Sequence, residues 1–230
     1  MATATRNAVS VDFPLRGEWV AIISPGDRVP SHGTDMLAQR FAYDFIRVDR
    51  RKGWHVHPSG SLRSNLIGFP VRECYGWGQP VHMPFAGEIV DARDGYPERS
   101  RVVPIREIGV VLKNALTFDP KRGLLPVVGN HVIARSGEVF AAFAHLTPGS
   151  VAVTPGQVVG AGEVIGRVGH TGNSTAPHLH FQLMDGPDPV TAKGVPCVFT
   201  ELEVERTDGW ERVSDVVPRR QDRIRCGPAS

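Results

Sequence analysis

Turns come too often in this chain for long helices to form. Glycine and proline supply 25 and 19 of the 230 residues, and they are spread along the sequence rather than gathered in linkers. They punctuate short apolar runs in the way turns punctuate strands. The runs 19–23, 40–47, 87–92, 109–113, 131–134, 139–145, 151–153, 158–159, 163–168 and 178–184 read as strands, and no long amphipathic helix competes with them. Between 151 and 169 the pattern is strand, turn at Thr154-Pro155-Gly156, strand, turn at Gly160-Ala161-Gly162, strand. Pro–Gly and Gly-rich segments are the chemistry of tight reversals. The expectation is an all-β, antiparallel domain, a compact barrel or sandwich.

Length fits one domain with appendages. We expect a single domain over 1–195, interrupted by a polar insertion at 48–64 that carries Arg50-Arg51-Lys52. Beyond it, 196–230 is Glu/Arg-rich and weakly patterned, and reads as a C-terminal appendage. A formal net charge of +2 gives no argument for a nucleic-acid partner. The basic cluster Arg219, Arg220, Arg223 and Arg225 reads as a solvated or mobile tail. Cys74, Cys197 and Cys226 form no CxxC pair, so they read as packing residues or free thiols. No run is long enough for a membrane-spanning helix. Residues 1–18 lack the apolar core of a secretory signal, so a cytoplasmic location is expected unless export uses an unrecognised route. Nothing indicates an oligomeric state.

Histidines carry the chemical signal. His55, His57, His82, His131 and His170 lie in the polar insertion, between apolar neighbours or beside turn glycines, and read as ordinary surface or core residues. His178-Leu179-His180-Phe181 differs. In a strand, side chains alternate, so both histidines face one way and Leu179 and Phe181 the other. One face can be a site while the opposite face is core.

The surrounding run sharpens that reading. Gly169-His170-Thr171-Gly172-Asn173-Ser174-Thr175-Ala176-Pro177-His178-Leu179-His180-Phe181 resembles the GNTGNSTGPHLHFE signature of the lysostaphin-type zinc endopeptidases, which cleave peptidoglycan. Phe143-Ala144-His145-Leu146-Thr147-Pro148-Gly149-Ser150-Val151 resembles that family's YAHLSPGSV. Residues 80–90, from Pro80 to Val90, are similar to its TPVYAPADGVV strand pair. The likeness covers about residues 30–185, in the family's order. It implies the family's antiparallel, duplicated hybrid barrel-sandwich core, one Zn²⁺ per chain, and a peptide or peptidoglycan substrate.

The resemblance also implies a metal site made of a His, an Asp and the second His of the HxH. These map onto His32, an aspartate, and His180. The usual His-x-x-x-Asp spacing is absent, because in Ser31-His32-Gly33-Thr34-Asp35 the aspartate follows three residues after the histidine. Asp44, in Phe41-Ala42-Tyr43-Asp44-Phe45, is the alternative. A strand residue between alternating apolar neighbours is a better-fixed ligand than one in a Gly-Thr turn, so Asp44 is preferred over Asp35. Two imidazoles and a carboxylate suit zinc and leave a fourth position for water. The family's catalytic pair maps onto His145 and His178, whose imidazoles can exchange a proton with water or a leaving amine.

The expected activity is therefore zinc-dependent hydrolysis of peptide bonds, with cell-wall peptidoglycan the implied substrate. Rival readings are an inactive scaffold that activates other wall hydrolases, or a non-wall peptidase of the cytoplasm. A lipoyl- or biotinyl-carrier domain is excluded, because 151–168 offers no lysine for a hairpin tip. A sugar-phosphotransfer domain of similar β architecture, relaying phosphate through a pair of histidines, would not need His32 and Asp44, and a metal assay separates the two readings.

Overall fold

The computed structural model describes residues 8–49, 55–58, 67–104, 106–107, 109–110 and 123–227. Among them are β1 (Val9–Val11), β2 (Gly17–Ile23), β3 (Tyr43–Ile46), β4 (Phe69–Pro70), β5 (Pro80–His82), β6 (Gly87–Arg93), β7 (Arg101–Val102) and β8 (Asn130–Ser136). The series continues with β9 (Val139–Leu146), β10 (Val158–Val159), β11 (Val164–Arg167), β12 (His178–Met184), β13 (Gly194–Val195), β14 (Cys197–Arg206), β15 (Gly209–Val216) and β16 (Arg223–Cys226). Among the described residues, helix is confined to short pieces such as the 3-10 turn Met36–Phe41 and the single turn Leu125–Val128.

One large sheet dominates, in the order β1-β14-β16-β2-β3-β12-β9-β8-β6-β10, with β13 on β12 and β15 on β14. The expected antiparallel sheet core is present. A closed barrel is not: β1 and β10 are opposite ends of the order and do not pair. The ribbon β5-β11 instead packs Val81 and Ile165 into the same core as Phe143, Phe181 and Phe199. At its centre Phe13, Tyr43, Phe45 and Phe199 meet at ring distances of 4.9–5.8 Å. Such aromatic pairs are worth roughly 0.5–1.5 kcal/mol each beyond their area.

The C-terminal segment is not an appendage to this sheet but an extension of it. In β14, Leu202 and Val204 are buried while Glu201, Glu203 and Glu205 point outward. The Glu/Arg richness is the solvent face of alternating strands, and the period-two pattern was in the sequence. Arg223 and Arg225 belong to no mobile tail: they pair with Glu205 and Glu203 and stack over the Trp210 ring.

Three expected strands differ. The run 40–47 begins in the 3-10 turn and is a strand only over Tyr43–Ile46. Residues 151–153 join no strand, although the Ala152 N–H donates to the Ile165 carbonyl. Of 109–113, residues 109 and 110 are helical and the rest lie outside the described residues. A short apolar run cannot choose between helix and strand by periodicity alone. The polar insertion 48–64 also lies largely outside the described residues.

Candidate metal centre

The register of β12 against β3 assembles the centre. His180 lies directly opposite Asp44, and His178 opposite Ile46. Directly opposed residues of an antiparallel pair share a face. Asp44, His178 and His180 therefore emerge together, while Tyr43, Phe45, Leu179 and Phe181 fill the core on the other side. His32 reaches the same point from the loop after β2. The ligand-capable atoms of His32, Asp44 and His180 all lie within 4.8 Å of one another. Asp35 is elsewhere: exposed, it takes Arg40 on both carboxylate oxygens at 2.9 and 3.0 Å.

His145 arrives by a less regular route. In β9, Ala142 and Ala144 line the site face and Phe143 the core, so strict alternation would bury His145 on the core side. The ladder with β8 slips between Asn130 and Val132, which face Leu146 and Phe143. Two residues of β9, Ala144 and His145, thus oppose the single His131. His145 itself has φ of 65°. A bulge of this kind bends the strand and re-aims a side chain. It brings the His145 ring to 4.8 Å from His178 and 5.9 Å from His180, centroid to centroid.

The outer ring nitrogens are all engaged, which fixes what the inner ones offer. The Ser31 hydroxyl donates to the Gln39 carbonyl at 3.1 Å, so it accepts from His32 Nδ1–H at 3.1 Å. The Gln182 amide donates to the Leu37 carbonyl at 2.8 Å, so its Oε1 accepts from His180 Nε2–H at 2.9 Å. What remains are the lone pairs of His32 Nε2 and His180 Nδ1, at 3.2 and 2.9 Å from the two Asp44 oxygens. Lone pairs converging on a carboxylate call for a cation among them. Partners that orient ligand imidazoles in this way are characteristic of metal sites. The donor set fits a divalent metal.

Electrostatics agree with the geometry. Burial pushes the Asp44 carboxyl up, but the surrounding His32, His178 and His180 outweigh it and hold it well below the usual carboxylate range. Burial also opposes charge on His180, yet the Asp44 contact wins and raises its value. His145 and His178 go the other way, lowered mainly by burial. Each spends its Nδ1–H on a backbone carbonyl, His145 on Thr171 at 2.9 Å and His178 on Ala176 at 2.7 Å. Both are left as neutral imidazoles whose Nε2 can accept a proton.

A cavity of about 250 Å³ opens over these residues, its walls largely aliphatic with Ile22, Ile23, Leu37, Val127 and Ile133. Sequence reasoning passed over Ser31 and Gln182. Gln182 was within reach, since it stands two residues beyond His180 on the same strand face; Ser31 carried no such signal. His170, read as a turn residue, is fully buried, and His131 lines the cavity with its Nε2 on Asp91.

Residues 75–192, half of the chain, match the model of peptidase family M23, and the chain belongs to that family. It is 41% identical over 88 residues to the DD-carboxypeptidase/endopeptidase Mpg of Neisseria meningitidis, covering 38% of this chain and 19% of that protein. To the peptidoglycan DD-endopeptidase ShyA of Vibrio cholerae it is 38% identical over 68 residues, 29% of this chain and 15% of the other. The chain thus spans less than a fifth of the length of these curated relatives. Among solved structures, the catalytic domain of lysostaphin from Staphylococcus simulans aligns with a TM-score of 0.37 and 22% identity, over 68% of this chain and 77% of that one.

Proposed function

We propose that this chain is a zinc-dependent endopeptidase that hydrolyses peptide bonds of peptidoglycan. His32, Asp44 and His180 would hold the ion, and His145 and His178 would move protons. The observation that carries this reading is the convergence of the inner nitrogens of His32 and His180 on Asp44, with the His178 and His145 rings beside them and all four imidazoles held by outer partners. Membership of a peptidase family supports the reaction type, and the name of one relative, a peptidoglycan DD-endopeptidase, supports the wall substrate.

When bound, zinc supplies a Lewis acid for the scissile carbonyl and acidifies water. The chain's own residues do the rest. His145 and His178 are kept neutral by burial, so an Nε2 atom is ready to take a proton from attacking water and return it to the leaving amine. His178 Nε2 lies 3.7 Å from Asp44 Oδ1, beside the ligand cluster. The aliphatic part of the wall would pack against apolar portions of a peptide and shield the reacting bond from bulk water.

Digestion of isolated peptidoglycan, read by mass spectrometry of the released peptides, tests the proposal. New peptide termini should appear, vanish after chelation and return with zinc. A zinc-loaded protein that releases none would overturn it.

A further inference from the structure

The turn that delivers His178 has little apolar surface with which to hold its shape. Residues 169–177 are Gly, His, Thr, Gly, Asn, Ser, Thr, Ala and Pro. Gly172 has φ of 63°, and a Cβ there would lie 2.5 Å from Gly129 N, so the turn is pressed against the 125–129 segment. Its inward carbonyls need donors, and these come from a distant part of the chain. Arg99 Nη1 donates to the Gly172 carbonyl at 2.9 Å and Nη2 to the Ser174 carbonyl at 2.7 Å. Nη2 also lies 3.3 Å from His170 Nε2. Behind Arg99, its Nε is 2.8 Å from Oε2 of the fully buried Glu107. Glu98 accepts the His170 backbone N–H at 2.6 Å.

From this clasp a continuous set of hydrogen bonds reaches the site. His170 Nε2 also lies 3.6 Å from Glu107 Oε2, beyond hydrogen-bond length, so the nearer Arg99 donor takes its lone pair. His170 therefore carries its proton on Nδ1 and donates to Ser174 Oγ at 2.9 Å. Ser174 donates to the Ala176 carbonyl at 2.7 Å, the same oxygen that takes His178 Nδ1–H. Ser174 Oγ is itself 3.1 Å from His178 Nδ1.

We propose that Arg99, anchored on Glu107, is a positioning residue for hydrolysis: through His170 and Ser174 it holds His178 as the Nδ1–H tautomer with Nε2 turned to the metal centre. The inference rests on the catalytic role given to His178 above. A guanidinium is suited to it, because its planar fork serves several acceptors at once where an ammonium serves as a point charge. A misplaced catalytic group loses rate without loss of binding.

The test uses the zinc-loaded full chain, with imidazole ¹⁵N NMR of His178 beside kcat, KM and zinc content. In the wild type His178 should show one tautomer with a slowly exchanging Nδ1–H. In Arg99→Gln that proton should exchange freely, kcat should fall roughly 10–100-fold, and KM and zinc content should stay unchanged. Arg99→Lys should not restore kcat. A folded Arg99→Gln with the wild-type His178 signal overturns the proposal, as does melting-temperature loss with an intact signal. Ser174→Ala, a smaller change, asks the same question of the middle link, and an unmoved His178 proton there is equally fatal. Because the NMR signal needs no turnover, a wild type that cleaves nothing counts against the proposed function and leaves the positioning to be decided by His178.

Discussion

The two halves of the centre are held by different means. Asp44 and His180 stand on neighbouring central strands, where ladder hydrogen bonds and the packing of Tyr43, Phe45, Leu179 and Phe181 fix both at once. His145 and His178 stand where regular pairing ends, one on a bulge and one at the exit of a polar turn, and backbone carbonyls hold their rings. On the proposed reading, two of the three metal ligands are thus tied to the core of the fold, with His32 added from a loop, and proton transfer falls to its irregular margin. Substitutions should separate the two.

Asp44→Ala should have the largest effect. It removes the negative charge among the imidazoles, so zinc should be lost from purified protein and hydrolysis abolished. Asp35→Ala should keep both, at a stability cost of roughly 0.2–1 kcal/mol for an exposed ion pair. Elemental analysis of the two variants checks this; the reverse pattern would return the ligand role to the short His32–Asp35 spacing.

On the other half, His145→Ala or His178→Ala should retain zinc and lose roughly 10²–10⁴ in hydrolysis. Metal loss from either, at retained fold, would dissolve the distinction between the halves. A milder probe of the metal side is Gln182→Leu, which removes the acceptor for His180 Nε2–H. Zinc affinity should fall about 10–100-fold, measured by chelator competition. Undiminished affinity would show that strand packing alone orients His180.

The smallest effect is a pH dependence of the clasp. Burial pushes Glu107 up, but His170, Arg106 and Arg99 outweigh it, and the carboxyl falls from its ordinary 4.5 to about 2. A carboxyl lowered on folding contributes stability that is fully present above its unfolded value and lost as the pH falls through its folded one. Melting temperature should therefore decline between about pH 5 and pH 2 by more in the wild type than in Glu107→Gln. Parallel curves would remove Glu107 as the anchor of Arg99.

Much of the centre was legible residue by residue. Alternation in His178-Leu179-His180-Phe181 and in Tyr43-Asp44-Phe45 states which side chains share a face, and a strand obeys it. Gln182 follows from the same rule. His145 does not: its place depends on a bulge that breaks alternation, and nothing local in Phe143-Ala144-His145 announces one. The C-terminal strands were misread because charged residues on a solvent face obscured a period-two pattern that β14 plainly carries.

By itself, then, the sequence determined the strand-rich class, the turns and the faces of single strands, since these depend on residues a few positions apart. Only the tertiary structure decided that His180 faces Asp44, 136 positions away, and that Arg99 reaches Ser174, 75 positions on. Register and long-range polar contacts arise when separate segments bury their apolar faces together. The partner each side chain meets is then set by the packing of the whole sheet, which no local pattern encodes.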